Sequence, residues 1–158
     1  ESKAYRMAFR CFAALSMTSG VSSIQTGPPL CYNSGTTSIC WRPQLEGLDL
    51  ARKIVEIANE KQAIDISLLD VKQICSFADY FILCSCDAER QMDALTEEII
   101  RILKQENIYP LHREGTPGSG WILIDYNDII VHILSPRERE YYRLDELWKQ
   151  ANPVVRIQ

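Results

Sequence analysis

The chain has little of what metal centres, membrane spans and nucleotide-binding loops are made from. Its 158 residues include two histidines, His112 and His132, and none of its six cysteines forms a C-x-x-C pair. A zinc site would have to be assembled from Cys84-x-Cys86 with Cys75 and His132, without the short-spaced ligand pairs on which such sites are built. No run reaches the ~18 consecutive apolar residues that a helical membrane span needs. Walker and dinucleotide glycine patterns are missing, and so is the G-x-S-x-G elbow of a serine hydrolase. The one "GSG" (118–120) is not followed by the Asp-x-Asp pair that would aim two carboxylates at a nucleotidyl-transfer metal. Asp65 and Asp70, five apart on a predicted strand, project to opposite faces. A Ser-His-Asp triad would need Ser119 or Ser135 to be activated, and Ser135 is better used as a helix cap. No catalytic residue, cofactor or metal is expected, and the chain reads as a non-enzyme.

Charge is unevenly spread. The formal total is −4, but residues 1–44 carry four basic side chains against Glu1. Residues 45–158 hold 13 basic and 20 acidic residues, a net −7. An acidic balance of this kind argues against a broad phosphate-binding surface, so no DNA is expected as a partner. Eleven of the first 44 residues are Ser or Thr. Their opening "SKAYRMAFRCFAALSM" has the basic, weakly amphipathic character of an organellar transit peptide, with a disordered extension as the alternative. Cys11, Cys31 and Cys40 lie in this segment, whereas Cys75, Cys84 and Cys86 lie in or beside apolar runs. There reduced cysteine behaves as a small hydrophobe, so a reducing compartment is the simpler reading.

From residue 45 the hydrophobic pattern is regular. "LEGLDLARKIVEIANEK" places Leu50, Ile54, Ile57 and Ala58 on one helical stripe. "AIDISLLDV" alternates as a strand, and "DYFILCSC" is apolar throughout, as in a strand buried on both faces. "DAERQMDALTEEIIRILKQEN" predicts a helix capped by Asp87, with Met92, Leu95, Ile99, Ile102 and Leu103 inward. "IYPLHREG" predicts a short strand that Pro110 assigns to an edge. Two more strands follow in 118–136, then one helix over "SPREREYYRLDELWKQ", with Ser135 as cap and Pro136 in its first turn. These elements predict an α/β domain over 45–150, a mixed β-sheet of about five strands with flanking helices, followed by a tail at 151–158.

The segment "GSGWILIDYNDIIVHILSP" carries the most polar information. "YND" (126–128) is a hairpin turn, with either Tyr126-Asn127 or Asn127-Asp128 as its two-residue loop. Either choice puts Trp121, Asp125, Asp128, Ile130 and His132 on one face and Ile122, Ile124, Ile129, Val131 and Ile133 on the other. The second set is core. An indole beside an imidazole and two carboxylates has the composition of a protein-binding centre, with Trp121 as anchor, Asp128 and His132 beside it, and Tyr141 or Tyr142 extending it. Flanking a tight turn, both aspartates also have a purely structural use. A buried Trp121–His132 pair beneath a helix is the structural alternative, and Trp148 reads as core.

Taken in order, "DISLLDV", "CSFADYFILCSC", "ERQMDALTEEI", "GWILIDYNDIIVHIL" and "REREYYRLDELW" resemble the Iojap family, the ribosomal silencing factors also called RsfS. The Ser-Phe-x-Asp-Tyr-Phe block is met by residues 76–81, and the hairpin Gly, Trp and Asp by Gly120, Trp121 and Asp125. The Val-Val-His element is met by Ile130-Val131-His132, and the closing Tyr-x-Leu-Glu-x-Leu-Trp by residues 142–148 with Asp145 for Glu. One departure is Ser85-Cys86 where bacterial members often have Thr-Gly. The resemblance implies a nucleotidyltransferase-like fold without a catalytic site. It also implies binding to the large ribosomal subunit at the universal large-subunit protein fourteen, obstruction of small-subunit docking, and repression of translation when nutrients are short. The alternatives are a divergent nucleotidyltransferase-fold enzyme and a non-ribosomal interaction domain in ribosome assembly. The expected place is the bacterial cytoplasm, ribosome-associated, or a mitochondrion or chloroplast if residues 1–44 are a transit peptide. A homodimer is compatible with the apolar and aromatic content.

Overall fold

A computed structural model describes residues 47–158. The expectations for residues 1–44, including Cys11, Cys31 and Cys40, lie outside the described residues. Helix α1 (Gly47–Glu60) buries Leu50, Ala51, Ile54, Val55, Ile57 and Ala58. Helix α2 (Glu89–Gln105) buries Met92, Leu95, Thr96, Ile99 and Leu103. In both, apolar residues three and four apart line one face, so packing that face holds the helix. Asp87 does not cap α2 as expected: the cap position is Ala88, with no side-chain hydrogen bond.

Among the described residues six strands, against about five expected, make one sheet. They are β1 (Ile64–Asp70), β2 (Tyr80–Ser85), β3 (His112–Thr116), β4 (Trp121–Asp125), β5 (Ile129–Leu134) and β6 (Asn152–Ile157). Their order is β3-β4-β5-β2-β1-β6. Only β2 and β5 pair in parallel, and all other neighbours are antiparallel. The sixth strand comes from the segment expected to be a tail. "NPVVRI" is short and carries a proline, so it lacks a strand pattern of its own. It is ordered by pairing with β1, as an edge where Pro153 is tolerated. The edge position predicted for the Pro110 segment holds, since β3 closes the opposite side.

The sheet has two apolar faces. On one, Ile66, Leu68, Ile82, Cys84, Ile122, Ile124, Val131 and Ile133 pack under α1 and α2. On the other, Leu69, Phe81, Leu83, Trp121, Ile130 and Leu134 form a second core with Val71, Ala78, Leu144 and Ala151. Its cover is the loop 71–79 and a broken C-terminal helix. That helix was expected to be continuous. It splits into α3 (Pro136–Tyr142) and α4 (Leu144–Leu147) at Arg143, which sits in the left-handed region at φ 45°. The break brings Leu144 into the core and Asp145 back to Arg139. Ser135 caps α3 as expected, its Oγ accepting from the Glu138 N–H.

Candidate protein-docking face

The hairpin uses Asn127-Asp128 as its loop. Tyr126 N–H donates to Ile129 O at 2.9 Å, and the register pairs Asp125 with Ile130, Leu123 with His132 and Trp121 with Leu134. Asn127 takes the positive φ, 74°, that the turn demands. The predicted faces follow: Ile122, Ile124, Ile129, Val131 and Ile133 belong to the α1/α2 core, while Trp121 and Ile130 belong to the second core. Both aspartates serve the turn. Asp125 Oδ1 accepts the Asn127 N–H at 2.7 Å, and Asp128 Oδ1 accepts from Asn127 Nδ2 at 2.6 Å. Asp125 is half-buried and Asp128 exposed.

Trp121 and His132 are not an accessible patch. They are 3% and 4% exposed. The expected juxtaposition is present, but the chain's own C-terminal segment seals it. Trp121 Nε1–H donates to His132 Nδ1 at 3.3 Å. This bond requires an unprotonated Nδ1, and burial holds the imidazole neutral by lowering its pKa to about 4. The two rings belong to a file of aromatics. Tyr141 meets Tyr142 at 4.9 Å, Tyr142 meets Trp121 at 4.8 Å, His132 lies 5.7 Å from Phe81, and Phe81 meets Trp148 at 4.9 Å. The file begins in solvent, where Tyr141 is 75% exposed, and runs through the buried Trp121, His132 and Phe81 to Trp148. Tyr142 and Trp148 are half-buried, so Trp148 is core at one edge only.

The cover is incomplete over β3 and β4. His112, Glu114 and Thr116 pair with Asp125, Leu123 and Trp121, and directly opposed residues share a face. Along this strip Leu123 and Asp125 are half-exposed and His112 and Thr116 exposed, with Tyr141 and Tyr142 beside it above Trp121. The open surface is therefore mixed: Leu123, Tyr141 and Tyr142 lie beside the polar His112, Glu114 and Thr116, with an acidic turn at the far end. Nothing in it is a nucleophile paired with a base.

The zinc alternative fails on the sheet itself. Cys84 is paired with Ile133 and packs with Cys86 on the α1/α2 side, whereas His132 and Cys75 belong to the opposite side. Burial also raises both thiols, Cys86 to about 11, and disfavours the thiolate a metal requires. Ser119 is a turn residue, its Oγ donating to Thr116 O and accepting the Thr116 N–H.

One important residue was not singled out from sequence. Arg139 is 7% exposed and, among the described residues, the only buried cation. Its Nε and Nη2 donate to the two carboxylate oxygens of Asp145, both at 3.1 Å, and its Nη1 donates to Ser85 Oγ and to the Asp65 carbonyl. In the run "PREREYY" an arginine reads as surface. Its one legible cue is spacing: 139 and 142 share a helical side, and Tyr142 faces Trp121. A shallow 680 Å³ pocket borders this arginine, lined by Asp65, Asp87, Glu140, Arg143 and Asp145 among others.

Comparisons with known proteins agree with this architecture. The chain is 32% identical over 110 residues to "Ribosomal silencing factor RsfS" of Halalkalibacterium halodurans, covering 70% of this chain and 93% of that protein. It is 28% identical over 109 residues to "Protein Iojap, chloroplastic" of Zea mays, covering 69% of this chain and 47% of that longer protein. A crystal structure of a Chromobacterium violaceum protein superposes with a TM-score of 0.62 at 27% identity, over 65% of this chain and 85% of that one. Another, from Bacillus halodurans, gives 0.58 at 31%, over 64% and 94%. The family described as "Ribosomal silencing factor during starvation" matches residues 44–158, which takes in every described residue, and on that match the chain belongs to the RsfS family.

Proposed function

We propose that the chain binds the large ribosomal subunit at the universal large-subunit protein fourteen, blocks association with the small subunit and so represses translation. Its relatives are named ribosomal silencing factors, and a mouse relative 26% identical over 98 residues is named "Mitochondrial assembly of ribosomal large subunit protein 1". The observation that carries the reading is the uncovered strip beside Tyr141, an exposed aromatic backed by a rigid file of rings. Tyr141 is the contact residue and Tyr142 its support. Trp121 and His132 act beneath them as a fixed floor, and Asp125 and Asp128 form an acidic rim. The net −7 of residues 45–158 favours a basic protein surface and disfavours direct adhesion to RNA. Blocking another particle needs affinity and bulk and no bond chemistry, so the proposed role is non-enzymatic and ribosome-associated, in the cytoplasm or in an organelle. Self-association is a separate proposal.

Co-sedimentation with purified large subunits tests this. Tyr141→Ala leaves the core untouched and, as an interface anchor, is expected to cost about 2 kcal/mol of binding or more. Leu123→Asp is expected to weaken binding in the same direction. If both variants sediment with large subunits as wild type does, this face is not the docking site. If the wild-type chain does not sediment with them at all, the partner is wrong.

A further inference from the structure

We infer that Arg139 is a positioning residue for the docking face, a buried clamp that sets the orientation of Tyr141 and Tyr142. The inference rests on the docking reading above for its functional consequence but not for its geometry. Helix α3 has seven residues and α4 four, too short to hold a conformation unaided. The only residue α3 buries is Arg139, and the only one α4 buries is Leu144. A surface helix normally docks through an apolar stripe; this one is anchored by a guanidinium, with half-buried Tyr142 against Trp121 as its apolar contact.

The guanidinium joins four elements. From α3 it grips Asp145 of α4 with a two-pronged bond. It reaches β2 at Ser85 Oγ, 3.2 Å, and β1 at Ser67 Oγ, 3.4 Å, at the Asp65 carbonyl and at Asp65 Oδ2, 3.3 Å. The site on β1 is itself unusual. Asp65 has φ 51° and the β1–β2 register shifts between Ile64 and Ser67, which turns that carbonyl toward the arginine. All the N–H directions of the fork are used, an arrangement an ammonium cannot reproduce.

Buried ion pairs of this kind are weak contributors to net stability, and apolar replacements of similar volume are often neutral or stabilising. What the fork specifies is rotation. Successive residues turn ~100° around a helix, so loosening the grip at residue 139 lets α3 roll. Tyr142, three residues on, would leave its place 4.8 Å from Trp121, and Tyr141 would leave its perpendicular contact with Tyr142. Arg139 thus acts on the partner only through the two tyrosines.

The test uses Arg139→Met, which keeps the volume and removes the fork, and Asp145→Asn, which weakens the grip from a partly exposed position. Each is made in the full chain and measured for unfolding, for the Trp121 indole N–H and Tyr142 ring resonances by NMR, and for large-subunit affinity. Both variants are expected to unfold cooperatively with those resonances displaced, and affinity is expected to fall about tenfold. In a Tyr141→Ala background the same substitutions should cost less than about twofold, because the lost contact is shared. Unmoved Trp121 and Tyr142 resonances in a folded variant overturn the clamp. An undiminished penalty in the Tyr141→Ala background overturns its action through the tyrosines. Should Arg139→Met not fold, Asp145→Asn alone decides. If Tyr141→Ala and Leu123→Asp both bind normally, the docking reading falls instead, while the resonances still judge Arg139.

Discussion

Trp121 and His132 meet as donor and acceptor inside the second core, and each limits what can replace the other. Exchanging Trp121 for Phe keeps an aromatic ring but leaves Nδ1 of a buried imidazole without its partner. A loss of about 1–3 kcal/mol is expected, read as a lower denaturant midpoint. Trp121→Ala adds a cavity, with an expected cost of about 3–5 kcal/mol, so its binding defect would be inseparable from unfolding. The histidine also makes stability pH-dependent. Its folded pKa, about 4, lies below the ordinary 6.5, so the unfolded chain binds the proton first. The contribution is therefore complete above pH 6.5 and drains away as pH falls toward 4. Thermal unfolding of wild type should decline more steeply through that window than that of His132→Asn. Equal slopes would mean that His132 is not held neutral by the fold.

At the level of elements, the β3–β4 connection that leads into Trp121 carries glycines that differ in kind. Gly115 has φ 89°, and an added Cβ would lie 2.1 Å from the Trp121 carbonyl oxygen. Gly120 has φ 71°, and its Cβ would meet Glu138 Cγ at 2.8 Å and Ser135 Oγ at 2.9 Å. Gly118 has nothing within 4 Å. Alanine is expected to be harmless at 118, to cost a few kcal/mol at 120 and most at 115, in that order of urea midpoints. Ser135→Ala, which removes the α3 cap, should cost about 1 kcal/mol. These elements were largely readable in advance. The α1 and α2 stripes and the all-apolar β2 are local patterns, and the two-faced 118–136 hairpin is a period-two one. The Arg143 break was not, because "YYRLDEL" is good helix sequence. It is opened by contacts that Leu144 and Asp145 make with residues far away in the chain.

For the molecule as a whole, the last strand decides where the sheet ends. Removing residues 152–158 strips Val155 and Ile157 from the α1/α2 core and bares the hydrogen-bonding edge of β1. The truncated chain is expected to melt at a markedly lower temperature and to aggregate with rising concentration, as seen by light scattering. Unchanged melting would make β6 a dispensable addition. The same strand shows why a sequence reading stops short. Residues 152–157 become a strand only because β1 offers unpaired backbone groups beside an apolar face.

Which side of each helix and strand turns inward follows from periodicity along the chain, because side-chain direction is a local property of backbone geometry. Hence the faces of the hairpin, the capping role of Ser135 and the sharing of one face by Trp121 and His132 could all be read from the sequence. Whether an inward-looking face is then closed over is not local. It depends on the bend at Arg143 and on a guanidinium reaching back across four elements, contacts between residues up to 74 positions apart. Only the assembled third layer buries Trp121 and His132 and leaves Tyr141 outside.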